Sequence, residues 1–436
     1  MTRSAKNGGL EAARPFFATL GNGLRVALLD LPAAHRVAIV AQLRIGSRFE
    51  TEEDNGLSHL LEHMLYRGIA GHPTAHEQAL AFESLGGTLV AGTGSETGSL
   101  SIACPPESFE RTLELFARVY REPLLLGLDI EKGIIREEIL EHLDENGNLI
   151  DDYDLLRATA FEGHSLGYSI TGSVKGLERF DVPRLRRHHE ERYVGRASVV
   201  AIAGPIDVEA AAHFVEKHFG ALPPGALPST TTPAEQDEMR VKFIRSASSQ
   251  TALRVGFRGA GIGDDNEPAS EVLLRILDDG NSTRLYTRLC DERGLAYDVA
   301  AGYEASDDVG LLDIGSDTTH DQADTVLCEI LDVVRSLRDE GPTLPELEKA
   351  KARHGWSLEE MLDNPGEAAD FLADCTLRGY AKDFTERRAQ IEAVTGAAVR
   401  DTAQRLFLPG RLNAVIVGPG QRRAKTKLEE RLASFR

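Results

Sequence analysis

With 436 residues, 42 % of them hydrophobic and 27 % charged, the chain is too long for one ordinary core and has the composition of a globular protein of about two domains. Its 69 acidic against 49 basic side chains leave a formal charge of −20, which argues against nucleic acid or an anionic membrane as the main partner. A basic substrate would be drawn to such a surface, although solubility alone accounts for the charge.

The first stretch, MTRSAKNGGLEAARPFFATLGNGLRVALL, lacks a continuous apolar segment near its start, so no secretory signal is expected. No run of about 18 apolar residues follows, so no membrane span is expected. The four cysteines (Cys104, Cys290, Cys328 and Cys375) are scattered, with no CxxC spacing. That suits free thiols in a reducing compartment and makes the cytoplasm the expected location.

Along the first half, NGLRVALL and VAIVAQLRIG read as strands, NGLSHLLEHML and ESFERTLELFARVYR as helices, and SVVAIAG as a further strand. FGALPPGALPSTTTP, rich in Pro, Gly, Ser and Thr, reads as an extended linker. The second half repeats the mixture. TALRVGFRG and LNAVIVG read as strands, and EPASEVLLRILDD, HDQADTVLCEILDVVRSLRDE and TLPELEKAKARHGWSLEEML as helices, with Trp356 expected in the core. Strands and helices mix without strict βαβ alternation, which points to two α+β halves. The expected organisation is a first domain over 1–222, a linker over 223–233 and a related second domain over 234–436.

The halves also resemble each other. When Glu53-Asp54-Asn55 is laid over Asp264-Asp265-Asn266, both triplets follow a strand and lead into a helix. On that register His59, Glu62 and His63 fall on Ser270, Leu273 and Leu274. The second copy keeps the helix and loses the trio, so the leucines serve the fold and the trio does something the fold does not need.

The trio sits in GLSHLLEHMLYRG, a helix whose cap falls on Ser58, Asp54 or Asn55. At 3.6 residues per turn, His59 and His63 differ by about 40°, and Glu62 lies about 60° to the other side of His59. All three share one face. Two imidazoles one turn apart can bind one zinc ion, with the glutamate beside it as a base for water. Polar residues on the wet side of an amphipathic helix would look similar, and Leu57, Leu60, Leu61, Met64 and Leu65 form the core stripe under either reading. A catalytic zinc site needs a third protein ligand. The carboxylate-rich helix Ile130–His142 offers Glu131, Glu137, Glu138, Glu141 and His142, among which spacing does not choose. Of the other histidines, His188 and His189 read as a solvated or packing pair in a charged helix, and His164 as a lone loop residue.

The order His-x-x-Glu-His is the inverzincin signature. With the downstream Glu-x₆-Glu, the chain resembles the pitrilysin and mitochondrial processing peptidase family, as a short two-domain, bacterial-type member. The resemblance rests on ordered blocks over most of the chain: GSRFETEEDNGLSHLLEHMLYRG, ESLGGTLVAGTGSETGSLSIACPPESFERTLELFARVYREP, SLGYSITGSVKGLERFDVPRLRRHHEERYVGRASVVAIAGPID and NSTRLYTRLCDERGLAYDVAAGYEA. It implies two homologous α/β-roll domains, each a mixed sheet packed with helices, and a zinc endopeptidase that cleaves extended peptides or small proteins inside a closed chamber. His59, His63 and Glu138 would be the zinc ligands, with 74 residues between His63 and Glu138. Glu62 would be the general base, and Glu131 a catalytic-site partner that positions a ligand or assists. A substrate would pair with the edge strand that includes Leu89, Val90 and Ala91, and Tyr297 would grip it from the second domain.

Two departures bear on activity. Val90 stands where the family commonly has an asparagine that holds the substrate backbone. Cys290 stands seven residues before Tyr297, where active members carry an arginine, and a thiol does not replace a guanidinium. Arg288 and Arg293, on an ideal helix, would point about 160° and 60° away from Cys290. Short members pair, so the chain is expected to form a homodimer, or a heterodimer with a related subunit that supplies the Arg/Tyr grip. The alternative is a non-catalytic or partner-dependent scaffold subunit, although scaffold members usually lose part of the His-x-x-Glu-His motif, which is whole here.

Overall fold

The computed structural model of the chain describes residues 8–420 and 422–435. Strands β1 (Phe16–Thr19), β2 (Arg25–Asp30), β3 (Val37–Arg44), β4 (Val90–Thr93), β5 (Thr97–Cys104) and β6 (Ser198–Gly204) form one sheet in the order β1-β2-β6-β3-β5-β4. Only the β2–β6 pair is parallel. A second sheet contains β7 (Arg240–Arg245), β8 (Thr251–Ala260), β9 (Ala300–Ala305), β10 (Val309–Thr318) and β11 (Leu412–Gly418) in the order β7-β11-β8-β10-β9, and only β7–β11 is parallel. Without β1, the first sheet has the topology of the second. The repeat legible in the sequence is therefore a repeat of fold.

Burial follows the sequence pattern. β3 (VAIVAQLR) and β6 (SVVAIAG) are nearly continuous apolar runs, and they sit in the middle of their sheet, buried on both faces. β5 (TGSLSIAC) alternates. Gly98, Leu100, Ile102 and Cys104 are buried while Thr97, Ser99 and Ser101 are partly exposed, so only one of its faces is fully covered.

One boundary between the compact units, Thr230 to Thr231, falls within residues 223–233, but each unit also takes a segment from the other half of the sequence. One contains the residues up to Ile139 together with Tyr168–Thr230 and Trp356–Arg388, and the other contains Leu140–Gly167, Thr231–Gly355 and the residues from Ala389 on. Composition located the linker at 223–233, but two helices are exchanged between the halves. In the first unit the helix Pro365–Arg378 lies on β2, β3 and β6. Its Ala368, Ala369 and Ala373 meet Ala27, Ala38, Ala201 and Ala203 of the sheet, with Leu372 fully buried among them. Small residues on both surfaces allow helix and sheet to come close. In the second unit the helix Asp152–Ala160 lies on β7, β8 and β11, where Leu155, Leu156 and Ala160 pack with Leu311, Val415 and Val417.

The predicted helix around Trp356 is present as Leu344–Met361, but Trp356 is 62 % exposed and does not belong to the core. Its turn of the helix directs the indole outward, a choice that apolar character alone does not reveal. Among the described residues no helix is long and apolar enough to cross a membrane.

Leu372→Ala should cost about 2–5 kcal/mol of stability, because its packing against the sheet leaves little room for collapse. Trp356→Ala should stay within about 0.5 kcal/mol. Chemical denaturation of the two variants beside the native protein checks both values.

Candidate metal centre

The site helix, Leu57–Met64, begins without a side-chain cap of its own. Gly56 occupies the N-cap position with φ 95°, a left-handed conformation natural to glycine, and a Cβ there would lie 2.8 Å from the Thr171 carbonyl. None of Ser58, Asp54 and Asn55 caps the helix as expected. Glu50 does so from outside. Its carboxylate accepts from the Gly56 N–H at 2.9 Å, the Ser58 N–H at 2.7 Å and the Asn55 side-chain amide at 3.2 Å. Burial pushes the Glu50 carboxyl above its ordinary range, and these donors pull it back. The Ser58 hydroxyl meets His188 Nε2 at 3.0 Å, and the Asp54 carboxylate pairs with Arg184. The start of the helix is therefore held from two directions.

On this helix His59 is buried, and His63 and Glu62 are partly buried. The two imidazole rings lie 4.7 Å apart between centroids. Glu138 comes from the helix Leu128–Glu141, with its carboxylate oxygens 3.6 Å from His59 Nε2 and 3.8 Å from His63 Nε2. Those separations are too long for hydrogen bonds. They are close to the roughly 3.3 Å between two donors on one tetrahedral zinc. One donor atom of each of His59, His63 and Glu138 lies within 4.8 Å of the other two.

Both imidazoles can offer a lone pair to a metal. His63 Nδ1 and Glu131 Oε2 are 2.9 Å apart, and Glu131 Oε1 is paired with Arg67. The Nδ1 proton is then the one donated to Glu131, which leaves the Nε2 lone pair facing Glu138. Burial, reinforced by the neighbouring His63, lowers the pKa of His59 to about 4, so its ring is neutral at neutral pH. His59 Nδ1 is buried without a hydrogen-bond partner and Nε2 has only the distant Glu138 oxygen. A buried ring so poorly served suits an ion that takes a lone pair. Two imidazole nitrogens and one carboxylate are the donor set of a zinc site with a position left open. Glu62 stands on the same face, and its carboxylate accepts from the Thr93 hydroxyl at 2.7 Å. Burial pushes the Glu62 carboxyl above its ordinary range, while the Thr93 bond opposes that rise.

Thr93 ends β4, the edge strand of the first sheet, which pairs on one side only, with β5. Of the residues expected to meet substrate there, the Leu89 side chain is buried and Val90 is 57 % exposed. The Ala91 N–H donates to the Tyr66 hydroxyl at 2.6 Å. Tyr297 lies in a loop before β9 and is 96 % exposed. Cys290 packs against the core of the second unit, in a π-helical turn over Thr287–Asp291. The wider winding of that turn overturns angles drawn on an ideal α-helix. Arg288 and Arg293 both reach the same buried carboxylate, Glu329.

Of the other histidines singled out in the sequence, His188 and His189 are a packing pair rather than a solvated one, and His164 is not a lone residue. His188 and His189 are both buried, the latter with Nε2 2.9 Å from the Tyr120 carbonyl. His164 has partners, with Nε2 2.9 Å from the Thr231 carbonyl and Nδ1 accepting from the Leu166 N–H. His142 stands with Asp151 and Asp154 in a second group of three donors, but Asp151 already caps the helix Asp152–Ala160. Glu50, Thr93, Tyr66 and Arg67 are the site residues that sequence reasoning missed. Only Arg67, one turn after His63 on the same face, had a spacing that could have flagged it.

Similarity to known proteins bears on this geometry. The family description "Insulinase (Peptidase family M16)" matches residues 25–174, which include the whole candidate centre, and "Peptidase M16 inactive domain" matches residues 179–353. A Bacillus subtilis protein named uncharacterized zinc protease YmxG is 29 % identical over 394 residues, spanning 89 % of this chain and 95 % of the relative. An uncharacterized zinc protease of Mycobacterium tuberculosis is 28 % identical over 426 residues, 96 % of each chain. Among solved structures, a protease from Helicobacter pylori is similar with a TM-score of 0.87 at 19 % identity, over 93 % of this chain and 99 % of the other. An M16 inactive domain from Pseudomonas fluorescens follows at 0.85 and 21 %, over 94 % and 99 %.

Glu50→Ala strips the buried Gly56 and Ser58 amides of their acceptor and should cost about 1–3 kcal/mol per amide left unpaired. Glu50→Gln, which keeps one acceptor oxygen, should lose less. Thermal and denaturant unfolding of the two variants check the order.

Proposed function

The chain belongs to the M16 family of peptidases, and from that premise we propose that it is a zinc-dependent endopeptidase acting on extended peptides or small proteins. The observation that carries this reading is the convergence of His59 Nε2, His63 Nε2 and the Glu138 carboxylate beside Glu62. His59, His63 and Glu138 would hold the ion, and Glu131 would orient His63. A bound zinc ion would supply Lewis acidity towards the scissile carbonyl and towards water. Glu62 takes the proton of the attacking water and delivers it to the leaving nitrogen, and its raised affinity for a proton suits both steps. Thr93 fixes which way the Glu62 carboxylate faces. The open edge of β4 pairs with the extended substrate backbone, as an added strand does. A peptide that pairs at Ala91 takes over the N–H now held by the Tyr66 hydroxyl.

A second reading, activity dependent on a related subunit, is favoured by Cys290 and its neighbours. At the position where the resemblance calls for a substrate-gripping arginine stands a thiol, and Arg288 and Arg293 are both engaged by Glu329. On this reading the chain carries the zinc and its partner carries the grip.

Zinc content and peptide cleavage measured together test the main assignment. Glu62→Gln should keep zinc and lose turnover, whereas His59→Ala should lose both, and Glu131→Gln should weaken zinc affinity about 10–100-fold. Undiminished cleavage by Glu62→Gln would show the base to be misassigned. The second reading predicts that the purified chain cleaves slowly alone and faster with the product of a neighbouring related gene. Full activity of the chain by itself defeats it.

A further inference from the structure

A trough in the first unit, of about 580 Å³, runs between the exchanged helix Pro365–Arg378 and the strands β4 and β5. The helix covers β2, β3 and β6 and largely stops short of the sheet edge, which leaves Ser99 and Thr97 as the floor. Glu367, Asp370 and Asp374 line it from the helix at spacings of three and four residues, hence from one face. None of the described residues that line it is a lysine, arginine or histidine. Two arginines stand near its Asp374 end, Arg378, which is 3.8 Å from Asp374 and also directed at Glu96, and Arg44, which pairs with Thr97 on the same face of the sheet. Burial pushes the carboxyls of Asp370 and Asp374 above their ordinary range, while Gln42 opposes the rise at Asp370, and Arg378 and Arg44 oppose it at Asp374.

A second observation concerns Gln42, which lines the same trough and is only 6 % exposed. Its Nε2 donates to Asp370 Oδ1 at 2.8 Å, and a carboxylate that accepts there fixes the amide's orientation. Gln42 Oε1 is then left buried with no hydrogen-bond donor. A buried acceptor without a donor is unfavourable unless something arrives to serve it.

The register connects this trough to the open edge. Gln42 pairs with Ser99, and Ser99 with Gly92 of β4, so these three residues form one cross-strand row. Along β4, side chains alternate between faces, so Thr93, which holds Glu62, points to one face and position 92 to the other. Gly92 has no side chain, and a Cβ there would meet only the Ser99 hydroxyl, at 3.4 Å. The way from edge to trough is therefore open.

We propose that this trough is a subsite for a lysine or arginine side chain of the peptide substrate. A peptide paired with β4 places alternate side chains on the Gly92 face, where a cation finds three carboxylates and the free Gln42 oxygen. That the occupant belongs to a peptide rests on the peptidase reading above.

The test uses the Glu62→Gln full chain loaded with zinc, and short peptides that differ only in carrying arginine or norleucine at one position, scanned along the sequence. Fluorescence anisotropy should show arginine binding at least about tenfold tighter than norleucine at one position. Asp370→Asn in the same background should cut that ratio to about threefold or less, and Glu367→Gln serves if Asp370→Asn fails to fold. A ratio near one at every position, a ratio that survives the substitutions, or no measurable binding of either peptide overturns the proposal. Cleavage by the native chain is scored separately. If it hydrolyses none of these peptides the peptidase reading fails, while the binding ratio still decides the subsite.

Discussion

A single buried carboxylate, Glu131, joins the two helices on which the candidate centre is built. It belongs to the helix Leu128–Glu141 and reaches across to His63 and Arg67 of the site-helix segment. A charge so deeply buried persists only when it is compensated, and here compensation and positioning are the same contacts. Arg67 supplies positive charge, and His63 supplies a ring proton whose commitment to Glu131 decides which nitrogen is free. Glu138, seven residues further on, is two turns along the same helix and roughly 10 Å away in rise. Fixing Glu131 therefore fixes how far the third donor extends towards the histidines. The other restraints act on the opposite end of the arrangement, where Glu50 and His188 hold the start of the site helix.

The two sheets show what the fold requires and what it does not. They share strand order and the placement of their single parallel pair, yet only one carries the trio. In the helix Glu267–Leu277, Ser270 and Leu273 occupy the matching places and are buried in the core of their unit. The architecture stands without any donor at these positions. Their presence in the first half, with an uncompensated His59 and a Glu62 pushed towards its protonated form, is a cost to stability that a purely structural helix would not carry.

Much of this was legible in the sequence, for reasons that differ by residue. Period and composition exposed the central strands β3 and β6, the linker and the repeat. Helical spacing placed His59, Glu62 and His63 on one face, and resemblance selected Glu138 and Glu131 from five candidates that spacing left equal. The external cap was hidden, because Glu50 lies eight residues from Ser58 and no short-range pattern covers that span. The exchanged helices were hidden because an amphipathic pattern says that a face will be buried but not against which sheet. Local propensity likewise gives no warning of the π-helical turn that carries Cys290. Trp356 and His188 show the same limit in opposite directions, an apolar ring left outside and a polar one enclosed.

The exchange of helices also sets an order on the making of the protein. Chains fold from the N-terminus as they are synthesised. The first sheet has all its strands once Gly204 has emerged, but the apolar surface of β2, β3 and β6 has no cover until Pro365–Arg378 follows. While the residues between Gly204 and Pro365 are being made, a nascent chain therefore displays a row of alanines and valines that the later helix shields. Burial of this face waits on a helix that the chain reaches only after it has begun building the second sheet.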